Sequence, residues 1–540
     1  MFSTGITAMF GPLSLLNQKI TLDPHNLPGY LLRTGVRFIV AMFVSIIFAI
    51  LYAAVAAKNL RMRKFMIPLL DIFQSIPVLG YLSFTVTAFV SLTPHNIFGV
   101  ELAVIFAICT AQVWNMIFSL YQSFITVPKE LYEVAQLYKL NQWKVFWIIE
   151  LPFAVPGLIW NIILSMAASW FYIVAQEVIA VGTQNYTVPG MGAYITLALQ
   201  NMDIRAVIYA TFSIISLIFI FNELFFKPLV SWSYKFRYEF NIGANTKNQS
   251  WLLSYFQQAS IVSCIVLPIR RIGHFIINIK IPRCLSVRST LIGIILEILC
   301  WISVIYLLFI SYQKLYGLCH NNLNLADIKE VLIDGIYTST RIIILLLIAS
   351  LIWVPIGIYI GLRPKLASFV QNITQFLTAF PANLYYPIFV LLIIHYKLNP
   401  EILLSVMIVM GSQWYILYNV IGGAQAIPTE LLEAAKVFRM SFTHKLLKIT
   451  LPAILPFYMT GIITAAGASW NASIIAEIMT WGTTTLTIPG IGAYVTTNTN
   501  SGNFAHITLG LVTMSTFVIV VNHLLLQPLY SFVSTRYRLE

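Results

Sequence analysis

The chain has 540 residues, 59% of them hydrophobic and 9% charged, with a formal net charge of +13. Ordinary soluble domains carry roughly 25% charged residues, so this composition, with a mean hydropathy of +0.83, excludes a water-soluble globule and points to a lipid bilayer. The basic surplus does not indicate nucleic acid, because lysines and arginines cluster beside apolar runs as they do on cytoplasmic loops, and the five cysteines lack metal-ligand spacing.

In chain order, residues 1–34, with Pro12, Pro24 and Pro28, read as an external surface segment without the pattern of a signal peptide. A first span at about 35–57 closes on Lys58, Arg61, Arg63 and Lys64. A second, at about 66–90, is interrupted by Pro77 and Gly80, and a third covers about 98–121. After a charged segment, spans follow at about 152–176 and 205–228. Residues 229–287 form a basic linker, within which the short apolar stretch 252–269 reads as interfacial. A span at about 289–311 has no counterpart in the first half. The five-span pattern then returns at about 336–360, 366–395, 401–422, 453–478 and 505–528. Placing both charged segments in the cytoplasm puts the basic clusters on that side as well, with the N-terminus outside and the C-terminus inside.

The organising feature is a duplication. Pro128, Glu130, Glu133, Ala135 and Leu151-Pro152 recur as Pro428, Glu430, Glu433, Ala435 and Leu451-Pro452. The match continues through Trp114 and Trp414, Trp170 and Trp470, Pro189-Gly190 and Pro489-Gly490, and Asn222 and Asn522. Such self-similarity at one long offset marks a repeated structural unit. The expected fold class is all-α, a polytopic membrane protein of two parallel five-span repeats plus one linking span, about 11 transmembrane helices. The corresponding division is an external segment 1–34, a first repeat 35–240, a linker with the extra span and an external loop 241–335, and a second repeat 336–540.

The two charged segments each offer a short helix whose polar face cannot be buried in lipid and is placed to dock on a soluble partner. The docking candidates are Glu130, Glu133, Ala135 and Lys139, and Glu430, Glu433, Ala434, Ala435 and Arg439. Candidates for a pathway or gate are Gln112, Trp114, Asn115, Trp170 and Glu177, and Gln413, Trp414, Tyr415, Trp470, Asn471 and Glu477. For the tryptophans, packing and interfacial-belt roles compete with this reading. Glu177 and Glu477 end their spans, where accepting hydrogen bonds from loop backbone competes with touching an anionic solute. Arg37 and Arg341 are expected at the outer interface, where a guanidinium can snorkel without serving a ligand. No Gly-x-x-x-x-Gly-Lys-Ser/Thr loop is present, so the chain lacks the usual means of hydrolysing a nucleotide.

Glu433-Ala434-Ala435 and the ending Ile449-Thr450-Leu451-Pro452, with Glu133-Val134-Ala135 and Ile149-Glu150-Leu151-Pro152, resemble the cytoplasmic loop of permease subunits of binding-protein-dependent, ATP-driven importers. That family has a glycine where this chain has Lys139 or Arg439, so an ordinary helical break is expected to make the turn. Trp170, Val174, Glu177, Ile179 and Gly182, and Trp470, Ile474, Glu477, Ile478 and Gly482, resemble most the permeases for nitrate, sulfonates, taurine and bicarbonate. The resemblance implies a non-enzymatic permease in a bacterial inner membrane. Its implied partners are two copies of a cytoplasmic ATPase subunit that holds ATP and Mg, an extracytoplasmic substrate-binding protein and the lipid bilayer. No cofactor on this chain and no nucleic acid are implied. An anion, with no basic residue at any span centre, would meet hydroxyl, amide and backbone donors, leaving selectivity mainly to the external protein. An ion-coupled secondary transporter with parallel repeats and a non-transporting membrane scaffold are the alternatives.

Overall fold

The computed structural model describes residues 20–93, 97–181, 184–236, 323–381, 384–482 and 484–536, with isolated positions between 298 and 317. The expected interfacial stretch 252–269, most of the expected span 289–311 and residues 1–19 lie outside the described residues. The first repeat opens with α1 (Leu27–Lys58), carrying a proline in its first turn, and the side chain of Asn59 then caps α2 (Leu60–Ser75). At 32 residues α1 is about 48 Å long, more than the roughly 30 Å of hydrocarbon it must cross. It begins eight residues before the expected span because Asp23, Pro24 and Pro28 supply the helix start.

There follow α3 (Leu82–Leu92), α4 (Phe98–Ile125), the short α5 (Lys129–Leu137), α6 (Leu151–Gln176), strands β1 (Val178–Val181) and β2 (Gln184–Thr187), α7 (Met191–Gln200) and α8 (Ile204–Phe221). The second repeat begins with α9 (Leu325–Gly361), α10 (Pro364–Ala379) and α11 (Tyr386–Tyr396). It continues through α12 (Pro400–Met410), α13 (Gln413–Gln425), α14 (Thr429–Val437), α15 (Leu451–Ala476), β3 (Ile478–Trp481), β4 (Thr484–Thr487), α16 (Ile491–Ser501) and α17 (Phe504–Val521).

The fold is almost entirely helical, with one correction to the all-α expectation. Each repeat contains an antiparallel hairpin immediately after its span-ending glutamate, with Val178 opposite Thr187 and Ile478 opposite Thr487. Among the described residues, seven helices are long and apolar enough to cross a membrane, or eight if the pair α12 and α13, bent by 42°, is one span. The interrupted spans at 66–90 and 366–395 are pairs of shorter helices, α2 with α3 and α10 with α11.

Among the described residues, four π-helical turns punctuate the spans: Phe146–Glu150, Asn222–Phe226, Leu446–Thr450 and Asn522–Leu526. Each ends two residues before a proline, namely Pro152, Pro228, Pro452 and Pro528. Proline has no N–H to donate and its ring crowds the carbonyl four residues back. A wider turn, in which the Leu151 N–H donates to the Phe146 carbonyl and that of Leu451 to Leu446, lets the helix continue through the site.

Each repeat has its own apolar core, and each reaches into the other. In the first, Trp170 stacks on Phe38 at 4.7 Å between ring centres, and Phe221 meets both rings edge-on. Helix α10 of the second repeat packs on α6 of the first, and α2 of the first packs on α17 of the second. The Val78 N–H donates to the Asn471 side chain at 2.9 Å across the same boundary. Trp170→Ala would empty a site that is 1% exposed, and such truncations cost about 3–5 kcal/mol. Unfolding midpoints in detergent should fall much further for Trp170→Ala than for the exposed Phe219→Ala; equal shifts would contradict this packing.

Candidate functional site

The two charged segments fold into matching helix–turn–helix units at the same end of their spans. Helix α5 ends in a turn where the Leu140 N–H donates to the Ala135 carbonyl and that of Lys139 to Gln136, both at 3.0 Å. In the second copy Met440 donates to Ala435 and Arg439 to Lys436, again at 3.0 Å. This closure requires a left-handed residue, and Lys139 (φ 51°) and Arg439 (φ 46°) adopt that conformation despite their side chains. The ordinary helical break expected from the missing glycine is therefore corrected: the glycine-type turn is kept, at some backbone strain. Asn141 and Ser441 then cap the short helices Gln142–Val145 and Phe442–Lys445.

Burial divides the docking candidates. Glu130, Glu133, Lys139, Glu430, Glu433 and Arg439 are exposed, Ala434 is half-buried, and Ala135 and Ala435 are buried against their own chain. Between the charges lie exposed apolar side chains that the sequence reading passed over: Leu137, Tyr138, Val437, Phe438 and Phe442, all more than three-quarters exposed. Their signal was the apolar pair just before each turn. The first unit is also tied to its spans. Glu150 accepts from the Tyr132 hydroxyl and pairs with Lys58 at 2.9 Å, whereas Thr450 stands at the equivalent position. Burial, then the Glu150 carboxylate, pushes the Tyr132 phenol up to about 12.

Glu177 and Glu477 organise the opposite end. Glu177 accepts from the Thr34 hydroxyl at 2.6 Å, the Arg37 guanidinium at 2.7 Å and the Gly192 N–H at 2.6 Å, the last in the first turn of α7. Arg37 also grips Glu101 with two bonds of 2.6 and 2.7 Å and donates to the Pro189 carbonyl. Glu477 repeats the pattern with Thr338, Arg341, Gly492 and Ala493. The glycines of the repeated Pro-Gly pair are explained by contact: a Cβ on Gly190 or Gly490 would collide with the glutamate carboxylate. Arg37, 1% exposed, is not a snorkelling surface residue, and Arg341 is likewise turned inward. The expectation fails because a carboxylate from another span meets each guanidinium before it can reach solvent. Duplicated Thr-x-x-Arg, at Thr34/Arg37 and Thr338/Arg341, was the unread signal.

The remaining candidates do not form one continuous wall. Gln112 is held inside the first repeat between the Ser45 and Ser169 hydroxyls, and Trp170 and Trp470 are buried packing residues. Trp114 stacks on Phe73, Asn115 accepts from Gln74, Gln413 accepts from the Trp353 indole, and Trp414 lies against Trp353. Asn471 and Tyr415 do meet the other repeat: Asn471 through Val78, and Tyr415 at a cavity of about 50 Å³ that Phe171 and Tyr172 also line.

Residues 42–226 and 353–538, together well over half of the chain, match the family model described as the binding-protein-dependent transport system inner membrane component. The chain belongs to this family. It is 34% identical over 148 residues to the bicarbonate transport system permease protein CmpB of Synechococcus elongatus, covering 27% of this chain and 50% of that protein. It is 30% identical over 196 residues to the nitrate import permease protein NrtB of Leptolyngbya laminosa, covering 36% and 65%. A putative aliphatic sulfonates transport permease protein, SsuC of Bacillus subtilis, is 26% identical over 124 residues, covering 23% and 44%. The matched regions thus span 50%, 65% and 44% of the length of these three relatives.

Within this two-repeat permease-family chain, the buried arginine–glutamate pairs are unequal. Glu401, which corresponds to Glu101, sits exposed in the first turn of α12 and makes no bond to Arg341. Arg37→Leu strands two buried carboxylates and Arg341→Leu only one, where breaking a buried pair costs about 3–5 kcal/mol. Unfolding midpoints should therefore drop more for Arg37→Leu than for Arg341→Leu. The reverse order would contradict the geometry.

Proposed function

We propose that the chain is the fused membrane permease of an ATP-driven importer for a small solute, most consistent with an anion. The observation that carries this reading is the duplicated helix–turn–helix with its exposed apolar tip. Leu137-Tyr138 and Val437-Phe438 project between wet charges at matching places in the two repeats. An exposed apolar cluster rimmed by charge is the kind of surface a protein partner covers. Two such tips in one chain fit two copies of an ATPase subunit, which binds ATP and Mg and carries the hydrolysis. The bicarbonate, nitrate and sulfonate names of the relatives support a small oxyanion. Delivery of the solute falls to an extracytoplasmic substrate-binding protein.

Closure of the ATPase pair would push α5 and α14 and rock the repeats between outward and inward openings. The Ala135 and Ala435 methyls act by seating each helix on its own repeat. Glu130, Glu133, Lys139, Glu430, Glu433 and Arg439 act at the contact rim, so their removal should change coupling more than stability. Cysteines at Val437 or Phe438 are expected to crosslink to a co-expressed ATPase subunit; no crosslink at any position from 430 to 445 would sink the assignment.

The proposed topology has eleven spans in a bacterial inner membrane, with the N-terminus outside and the C-terminus cytoplasmic. It counts the eight long or bent spans, the two interrupted ones and the linking span at 289–311. Among the described positions of that linking segment, Trp301 touches Phe65 of α2, while Ile302, Ile305 and Phe309 are exposed. This supports a peripheral span that restores the orientation of the second repeat. Deleting it should invert that repeat or abolish insertion. A reporter fused after Pro452 that still reads cytoplasmic in the deleted chain would refute the count.

A further inference from the structure

The repeats differ most where α4 of the first runs unbroken and its counterpart in the second is cut into α12 and α13 at Gly411-Ser412. After the cut the helical ladder resumes with the Tyr415 N–H donating to the Ser412 carbonyl. A helix that starts here presents first-turn N–H groups with no partner inside the helix, and its dipole favours negative charge. Gly411 and Ser412, the two residues at the cut, line the cavity of about 50 Å³ at the repeat boundary.

The second observation comes from two phenols. Tyr172 of the first repeat and Tyr415 of the second line the same cavity, and they are only 6% and 5% exposed. Neither hydroxyl has a hydrogen-bond partner among the described residues. Buried hydroxyls are ordinarily paired, so an unpaired couple bordering a cavity calls for an occupant that accepts hydrogen bonds. The cavity lining carries no carboxylate to hold a cation and no lysine or arginine to hold an anion tightly. A single water needs roughly 10–15 Å³ of such space, so the volume suits an ion of a few heavy atoms.

We infer that the broken helix at Gly411-Ser412, with the hydroxyls of Tyr172 and Tyr415, forms a transient binding site for a small planar oxyanion. The inference rests on the permease reading and adds to it a place and a ligand class. The site is single, not duplicated. Ala472 and Asn115 stand where its phenols would be in the other half, and Gln112 stands where Ser412 would be, in a helix that is not broken. Half-helix and hydroxyl donors without a full positive charge give weak, readily reversed contacts, which suits passage of a solute better than storage.

The test uses the full chain in lipid nanodiscs with ¹⁵N-nitrate and, separately, ¹³C-bicarbonate, reading NMR line broadening at constant ionic strength. The wild-type chain should broaden at least one of the two signals beyond empty discs, saturating in the millimolar range. The double variant Tyr172→Phe, Tyr415→Phe should bind about tenfold more weakly. Tyr386→Phe, which removes another buried unpartnered hydroxyl away from the cavity, should match wild type. No excess broadening by wild type, an unchanged double variant, or equal loss in Tyr386→Phe would overturn the site. The permease reading is judged apart, by uptake of both ions in source cells with and without the chain. Uptake that depends on the chain while the NMR shows no site removes only the inference. Uptake of both ions that is indifferent to the chain removes the anion-permease reading.

Discussion

A charge buried in a membrane protein has to be met by its opposite within the protein, and one end of each repeat is built around that constraint. Glu177 and Glu477 close their spans at positions that are wholly buried. Each is answered by an arginine and a threonine from the first span of its repeat, and by the N-terminal turn of the helix after the hairpin. One carboxylate thereby fixes three separated segments. These bonds act on α7 and α16 together with their own buried apolar residues, Met191, Ile195 and Ala198 in one and Ile491 and Val495 in the other. They also explain the glycine of the Pro-Gly pair, since the carboxylate occupies the space a side chain would need.

At the other end the governing constraint is proline. Among the described residues, four prolines follow two positions after the end of a π-helical turn, so the helix continues there despite losing N–H donors. Between the docking units and α6 or α15 this gives a continuous path through Gln142–Gln176 or Phe442–Ala476. The turn at the end of α5 or α14 holds a lysine or arginine in a left-handed conformation. Its closing hydrogen bonds recur in both copies, so the geometry is maintained by the helix-ending motif and not by glycine's freedom.

The halves are alike in topology and unlike in chemistry. Arg37 has two carboxylates and Arg341 one; Glu150 ties the first docking unit to Lys58 and Tyr132, and Thr450 cannot. The helix that is whole in the first repeat is bent in the second, at the boundary where Tyr172 and Tyr415 face one cavity. Fusion of the repeats allows this, because each copy can change independently. A homodimer would carry every feature twice.

The duplication, the apolar spans, the interruption at Pro77 and the two short charged helices were legible in the sequence, because periodicity, charge clustering and proline act locally along the chain. The offset between Pro128 and Pro428 alone predicted that the units would correspond, and α5 and α14 begin at matching residues. The hairpins were not legible: Val178–Val181 and Gln184–Thr187 are too short for strand periodicity to stand out beside a span. Nor was the fate of Arg37. Its sequence neighbours place it near a membrane surface, and only packing brings Glu101 and Glu177, 64 and 140 residues away, within bonding distance. The same holds for the cavity. Tyr172 and Tyr415 lie in different repeats, far apart along the chain, and it took the crossing of the two repeats to bring the two phenols to one cavity, since which residues face one another across helices depends on their rotation and tilt.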